Sequence, residues 1–132
     1  MGNLMSTIKA NDLQTTTGGI PTVKGQRLIP TAWVTFAGEG TAAIDASENV
    51  SSVTDRGTGL YTANFTTAMA NIDYCYQGTT MDGGGENDIT GIGCSSGGKT
   101  TTGVAVYTYH GIGGFSLNDA NKAHITILGG QA

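Results

Sequence analysis

Residues 28–69, LIPTAWVTFAGEGTAAIDASENVSSVTDRGTGLYTANFTTAM, carry the clearest pattern of strands and turns in the chain. Residues 44–53 read as one extended run, and residues 60–66 alternate between apolar and polar side chains. Between them, residues 55–59 (DRGTG) form a turn signal in which Gly can take a positive φ. Two β-rich runs around such a turn predict a hairpin. The alternating apolar positions of the second run are Tyr61, Ala63 and Phe65. The side chains predicted for the core of this segment are Trp33, Phe36, Tyr61 and Phe65.

The strand pattern continues to the end of the sequence. Further short runs of β-favouring residues are separated by Gly-rich turns, and helical periodicity never exceeds about one turn. Seven or eight short strands at roughly ten-residue spacing predict an antiparallel β-sandwich. The further predicted strands are residues 72–80, 89–95, 100–110 and 122–128, with a turn at 96–99 and a long loop at 111–121. The only helical candidates are residues 66–71 and 118–121.

The composition is that of a turn-rich β protein. The chain has 132 residues with 22 Gly and only 12% charged residues, and about one residue in six is Thr, which favours strands. A formal charge of −4 provides no basic patch for phosphates, so no nucleic-acid partner is expected. No apolar run is long enough to span a bilayer, and the first residues lack the apolar centre of a secretory signal. We therefore expect synthesis in a cytoplasm and no membrane insertion.

Residues 1–27 differ from the rest of the chain and are predicted to form an extended arm. They contain no aromatic residue, and their few apolar residues are too sparse to form a core alone. The arm therefore needs a neighbour, and the chain divides into an arm, residues 1–27, and a β-sandwich domain, residues 28–132. Alternatives are a terminus without a role and a strand added to its own domain. The predicted contact residues of the arm are Ile8, Lys9, Leu13, Ile20 and Val23.

No enzymatic signature occurs, and no cofactor or metal is expected. His110 and His124 stand in no recognisable catalytic motif. Cys75 and Cys94 are expected to be free thiols, with a disulfide as the open alternative. The loop at residues 81–88 could offer oxygen ligands to Ca²⁺ but lacks the EF-hand spacing, so a solvated turn or a contact loop is favoured.

Two loops are the candidate receptor or contact sites, residues 81–88 and 111–118. A Gly-rich loop that carries Ile and Phe predicts either a lid on the core or an exposed contact. The pairs Tyr74/Tyr76 and Tyr107/Tyr109 could likewise form a surface for sugars or proteins, or stabilise the sheet as cross-strand pairs. The candidate contact residues are Asp82, Glu86, Asn87, Asp88, Ile112 and Phe115.

Two segments resemble known phage proteins. Residues 32–69, AWVTFAGEGTAAIDASENVSSVTDRGTGLYTANFTTAM, resemble a segment common in tail-fibre and related virion proteins of tailed bacteriophages, whose pattern is roughly AWVNF-G-GT–I–S-NVSS-TD-G-G-Y-VNFTTAM. The family often has a basic residue before Asn-Val-Ser-Ser, where this chain has Asp45 and Glu48. Residues 6–18, STIKANDLQTTTG, resemble the STIKV-LQT-TG opening of many tail-fibre proteins of phages that infect cyanobacteria and related hosts. Together the two matches cover about half of the chain.

The resemblance implies a non-enzymatic structural protein of a virion. We expect a short homotrimeric tail fibre whose arm attaches to the tail or baseplate and whose domain takes part in recognising a host-surface receptor. The alternative is a trimeric capsid decoration (cement) protein that stabilises the head. Copy number separates these expectations, since decoration proteins are present in hundreds of copies and fibres in tens.

Overall fold

The computed structural model describes residues 22–23, 26–27, 30–81, 90–111 and 114–130. Within these residues the protein is all-β and has no helix, which confirms the predicted class. The strands are β1 Thr22–Val23, β2 Gln26–Arg27, β3 Ala32–Ala37, β4 Ala43–Glu48, β5 Val50–Gly57, β6 Leu60–Phe65, β7 Cys75–Met81, β8 Thr90–Thr100, β9 Gly103–His110, β10 Ser116–Leu117 and β11 Lys122–Leu128.

Nine of these strands form two antiparallel sheets, and the short β1 and β2 pair with each other. The four-stranded sheet has the order β4-β3-β11-β7. In the five-stranded sheet β5, β6 and β9 are neighbours. Tyr109 and His110 pair with both β8 and β10, so these two strands lie on opposite edges of β9. Phe36 of one sheet meets Tyr61 of the other edge-on, with ring centroids 5.1 Å apart, so the arrangement is β-sandwich-like.

The predicted run at residues 44–53 is two strands rather than one. Asn49 takes a positive φ of 54°, which breaks the extended backbone. Its side-chain amide donates to the carbonyls of Thr31 and Thr67, and its Oδ1 accepts from the Thr67 N–H at 2.7 Å. These bonds fix a corner at which the chain passes from β4 in one sheet to β5 in the other. Asn tolerates this conformation better than a β-branched residue would.

The core lies between the two sheets, and burial alternates along β3, β6 and β11. Phe36, Tyr61 and Phe65, all predicted for the core, are buried at 0%, 0% and 8% exposure. Trp33 is not, because its side chain is 37% exposed on the outer face of β3. Successive residues of a strand point to opposite faces, so burying Val34 and Phe36 forces Trp33 outward. The prediction of Trp33 as a core residue is therefore wrong.

Three local predictions also differ from the structure. Residues 96–99, predicted as a turn, lie within β8, where the pairing with β9 shifts register between Cys94 and Lys99. The chain reverses instead at Thr101–Thr102. Neither helical candidate is helical, and the predicted loop at 111–121 contains β10. Gly residues allow a bulge to replace a turn because their backbone is permissive.

The strand directions give the domain two distinct ends. At the first, which we call the proximal end, the N–H of Thr31 donates to Ile127 O and that of Ala70 to Gly130 O. At the opposite, distal end, the N–H of Gly38 donates to Ala120 O and that of Thr108 to Gly59 O. The segment that precedes residue 30 therefore joins the domain at the proximal end. Of the predicted arm contacts, Ile8, Lys9, Leu13 and Ile20 lie outside the described residues, and Val23 lies in β1.

Candidate functional site: an aromatic patch at the distal end

An exposed aromatic patch lies on the outer face of the five-stranded sheet, at the distal end of β9. Alternation along β9 buries Val106 and Thr108 in the core and turns Tyr107 and Tyr109 outward. Phe115, in the segment that follows β9, is 66% exposed and packs on both tyrosines. Phe115 therefore lies on the outer face and is not a lid on the core between the sheets.

The three rings are neighbours but do not form a flat stack. The ring centroids of Tyr109 and Phe115 are 4.8 Å apart with planes tilted by 36°. Those of Tyr107 and Tyr109 are 6.1 Å apart with a tilt of 39°. Phe115 meets Tyr107 at 6.4 Å and 74°, an edge-on contact. Such offset geometries are the favourable ones for aromatic pairs, so the rings support one another while Phe115 remains exposed.

Two glycines of β8 make room for the tyrosines. A Cβ at Gly91 would lie 2.5 Å from the Tyr109 hydroxyl, and one at Gly93 would lie 2.4 Å from Cζ of Tyr107. The far end of each ring therefore lies directly over bare strand backbone. Gly91 pairs with Tyr109 and Gly93 with Tyr107 in the β8–β9 ladder. The glycines thus hold the rings against the sheet, although they weaken the strand itself.

Among the described residues, β10 and the end of β9 border Tyr109 with polar and apolar side chains and include no Asp, Glu, Lys or Arg. Leu117 pairs with Tyr109 across β10 and β9 and is 39% exposed. Ser116 Oγ and His110 Nε2 share a hydrogen bond of 3.0 Å. The aromatic patch, defined as Tyr107, Tyr109, Phe115 and Leu117, therefore combines ring faces with hydroxyl and imidazole groups beside them.

Asp119 anchors the segment that carries Phe115 and Leu117. Its Oδ1 accepts from the Tyr61 hydroxyl and from the Gly59 N–H, each at 2.7 Å. The same hydroxyl also donates to Gly38 O at 3.0 Å. Burial, followed by the hydrogen bond to Asp119, raises the pKa of the Tyr61 phenol well above its usual range. Tyr61 must therefore stay protonated for the anchor to hold.

This anchor predicts a pH effect on stability. The phenol of Tyr61 has a higher pKa folded than unfolded, so its contribution is complete below pH 10 and is lost as the pH rises above that value. Each pH unit above 10 should cost the wild type about 1.4 kcal/mol from this group. Tyr61→Phe should be less stable at pH 8 by about 1–3 kcal/mol, through the loss of the hydroxyl's bonds.

Urea denaturation from pH 8 to pH 11 checks this prediction. We expect the stability gap between wild type and Tyr61→Phe to narrow above pH 10. Tyr107→Phe removes a hydroxyl on the outer face and serves as the control for tyrosine content. Parallel stability curves for wild type and Tyr61→Phe through pH 11 would contradict the prediction.

The other tyrosine pair, Tyr74 and Tyr76, links the two sheets. Tyr74 is 2% exposed, and its hydroxyl donates to Thr100 O and Gly103 O, each at 3.0 Å. The Tyr76 hydroxyl accepts the Cys94 N–H at 2.8 Å and so links the edges of β7 and β8. Tyr74 is therefore a core residue, and the half-buried Tyr76 joins the edge strands of the two sheets.

A groove of about 590 Å³ opens beside these tyrosines, between the edges of β7 and β8. Cys75 and Cys94 both line it and are free thiols. Burial raises the pKa of the Cys94 thiol, and Lys99 only partly opposes this. Lys99 Nζ donates to Tyr74 O at 3.1 Å and lies 5.4 Å from the centroid of the Tyr74 ring. A protonated thiol is a poor nucleophile, so burial disfavours a nucleophilic role for Cys94.

The remaining predicted contact residues, Asp82, Glu86, Asn87, Asp88 and Ile112, lie outside the described residues. Met81 and Thr90, which flank the loop that carries the first four of these residues, belong to the distal end because they pair with Lys122 and His110.

Sequence reasoning missed Leu117 and the supporting role of Gly91 and Gly93, which only the strand register reveals. Within the part of the chain that the structure describes, no group of three or more His, Cys, Asp or Glu is placed to hold a metal ion, and no helix could cross a membrane.

Comparison of the chain with protein-family models, with curated proteins and with solved structures finds no match.

Proposed function

We propose that the chain is a structural protein of a tailed-bacteriophage virion, namely a short trimeric tail fibre. The proposal starts from the two sequence segments that resemble tail-fibre proteins. The observation that supports it is that the chain enters the domain at one end while the aromatic patch lies at the other. The segment before residue 30 joins at the proximal end, where Thr31 bonds to Ile127, and the aromatic patch lies at the distal end.

This arrangement, with the chain entering at one end and the patch at the other, suits a fibre. A protein attached through one end must present its recognition surface at the other. The two-sheet body between them is tied together by a continuous core that runs from Phe36 and Tyr61 to Phe65 and Tyr74. Each recognition site would bind weakly, and three copies per fibre would raise the effective affinity through avidity.

Immunogold electron microscopy of virions tests the location. An antibody against residues 28–132 should place gold at the tail. Virions that lack the protein serve as the control for non-specific labelling. Gold over the head would replace the fibre proposal, and absence of the protein from purified virions would overturn the virion assignment altogether.

The proposed trimer has a separate test. Light scattering after size-exclusion chromatography should give the intact chain a mass three times its 13.4 kDa. A monomer at high micromolar concentration would count against the fibre and against the decoration alternative.

A trimeric capsid decoration protein is the second candidate, and one surface favours it. Trp33 and Leu128 are each 37% exposed on the outer face of the four-stranded sheet. They are diagonal neighbours on β3 and β11, because Trp33 pairs with Thr126. An apolar side surface suits a protein that lies against neighbouring capsid subunits. Hundreds of copies per virion would favour this reading over the fibre.

A further inference from the structure

We infer that the aromatic patch binds a short stretch of uncharged glycan. This inference rests on the proposed function, because it names the ligand class of the recognition site at the distal end. It concerns four side chains, Tyr107, Tyr109, Phe115 and Leu117, together with the polar pair His110 and Ser116 beside them.

The chemistry of the patch matches that of a sugar ring. A sugar presents C–H groups on its faces and hydroxyls around its rim. Aromatic rings carry negative charge on their faces, so they attract weakly positive C–H groups as well as excluding water. Phe115 offers such a face at 66% exposure, and the tilt of 36° to Tyr109 leaves two differently oriented ring planes. The hydroxyls of Tyr107, Tyr109 and Ser116 and the imidazole of His110 can exchange hydrogen bonds with the rim.

The described strand partners of the two tyrosines favour a neutral ligand. Among the described strands, the residues that pair with Tyr107 and Tyr109 are Leu60, Gly93, Gly91 and Leu117, none of which is charged. A charged sugar would lose hydration here without gaining an ionic partner. The net charge of −4 further disfavours acidic glycans.

The size of the patch favours a compact ligand over a protein. Aromatic side chains bury about 150–250 Å² each when fully covered, so these four partly exposed residues together present on the order of 300 Å². Stable protein–protein interfaces need about 800 Å² from each partner. A few sugar rings fit the available area, whereas a protein would need a much larger surface around it.

The site is also held in place before a ligand arrives. Tyr109 and Tyr107 lie over Gly91 and Gly93, where any side chain would come within 2.5 Å of the rings. Because the rings are fixed against backbone, little rotamer entropy remains to be lost on binding. This pre-organisation lowers the entropic cost of binding and favours specific recognition.

A microarray of neutral and acidic glycans, probed with the full chain, tests the inference. Neutral glycans should bind, and saturation-transfer NMR should then show close contact between the sugar C–H groups and the protein. Phe115→Leu keeps an apolar side chain but removes the ring, so we expect binding to weaken at least tenfold. Phe115→Tyr keeps the ring face and should bind like the wild type. Trp33→Ala, which removes an exposed aromatic from the other sheet, is the matched control and should also bind normally.

Three results would overturn the inference. They are binding to acidic glycans alone, no binding to any neutral glycan, and wild-type binding by Phe115→Leu. Because Phe115 is exposed, its variants should fold, and circular dichroism checks this directly. Gold labelling at the tail combined with a negative array would leave the fibre proposal intact and remove only the glycan.

Discussion

Phe36→Ala is expected to lower the free energy of unfolding by about 3–5 kcal/mol, the range for large-to-small changes of a buried Phe. The Phe36 side chain is 0% exposed and lies where the two sheets meet. It packs edge-on against Tyr61 at 5.1 Å and 65°, a contact worth about 0.5–1.5 kcal/mol beyond simple burial. Its removal leaves a cavity between β3 and β6 that neither sheet can close without moving the other.

The matched control is the same substitution at an exposed position. Phe115→Ala removes an identical side chain that is 66% exposed, so its cost should be only about 1 kcal/mol, from the lost contacts with Tyr107 and Tyr109. Urea denaturation of both variants at one fixed chain concentration gives the comparison, since stability of an oligomer depends on concentration. Equal losses for the two variants would contradict the position of the core.

Alternation explains what the sequence could and could not predict about this core. Tyr61, Ala63 and Phe65 on β6, and Ala123, Ile125 and Ile127 on β11, were readable because each strand alternates cleanly. Trp33 was misplaced because its size suggested burial. Because side chains alternate along β3, Trp33 lies on the opposite face from Val34 and Phe36. The face to which a strand position points therefore matters more for burial than the hydrophobicity of one residue.

The corner at Asn49 and the length of β8 could not be predicted from the sequence, because both depend on tertiary contacts. Asn49 carries a local signal, because Asn tolerates a positive φ, but only its bonds to Thr31 and Thr67 select that conformation. The Gly-rich residues 96–99 predicted a turn, because Gly is the commonest turn residue. Pairing with β9 decides for the bulge, since Lys99 and Thr100 still have partners in Val104 and Gly103.

Part of the candidate site could be predicted from the sequence. Tyr107, Tyr109 and Phe115 could be singled out from the Tyr-rich strand and the Gly-rich loop that follows it, but their convergence could not be predicted. Phe115 reaches the tyrosines because β10 pairs back onto β9 and because Asp119 anchors the residues that follow. Both contacts join residues that are brought together only by the fold, and no local pattern encodes them.

Gly59→Ala should be the most damaging change at the distal end outside the core, with an expected loss of about 3 kcal/mol. Gly59 has a φ of +65°, a conformation that costs an L-residue about 1–2 kcal/mol. A Cβ there would also lie 2.6 Å from Thr108 O and 2.8 Å from Asn118 N. Both are backbone atoms that cannot rotate away, so overpacking adds about 1–3 kcal/mol.

Gly40→Ala separates these two contributions. Gly40 has a nearly identical φ of +69°, but a Cβ there meets nothing within 4 Å. Its cost should therefore be the backbone strain alone, about 1–2 kcal/mol. The difference between the two variants in urea denaturation measures the clash of the added Cβ with the backbone of Thr108 and Asn118. Because the segment at 118–119 holds Leu117 and Phe115 in place, Gly59→Ala should also disturb the aromatic patch, whereas Gly40→Ala should not. Equal destabilisation by the two substitutions would mean that residues 118–119 yield freely and do not anchor the patch.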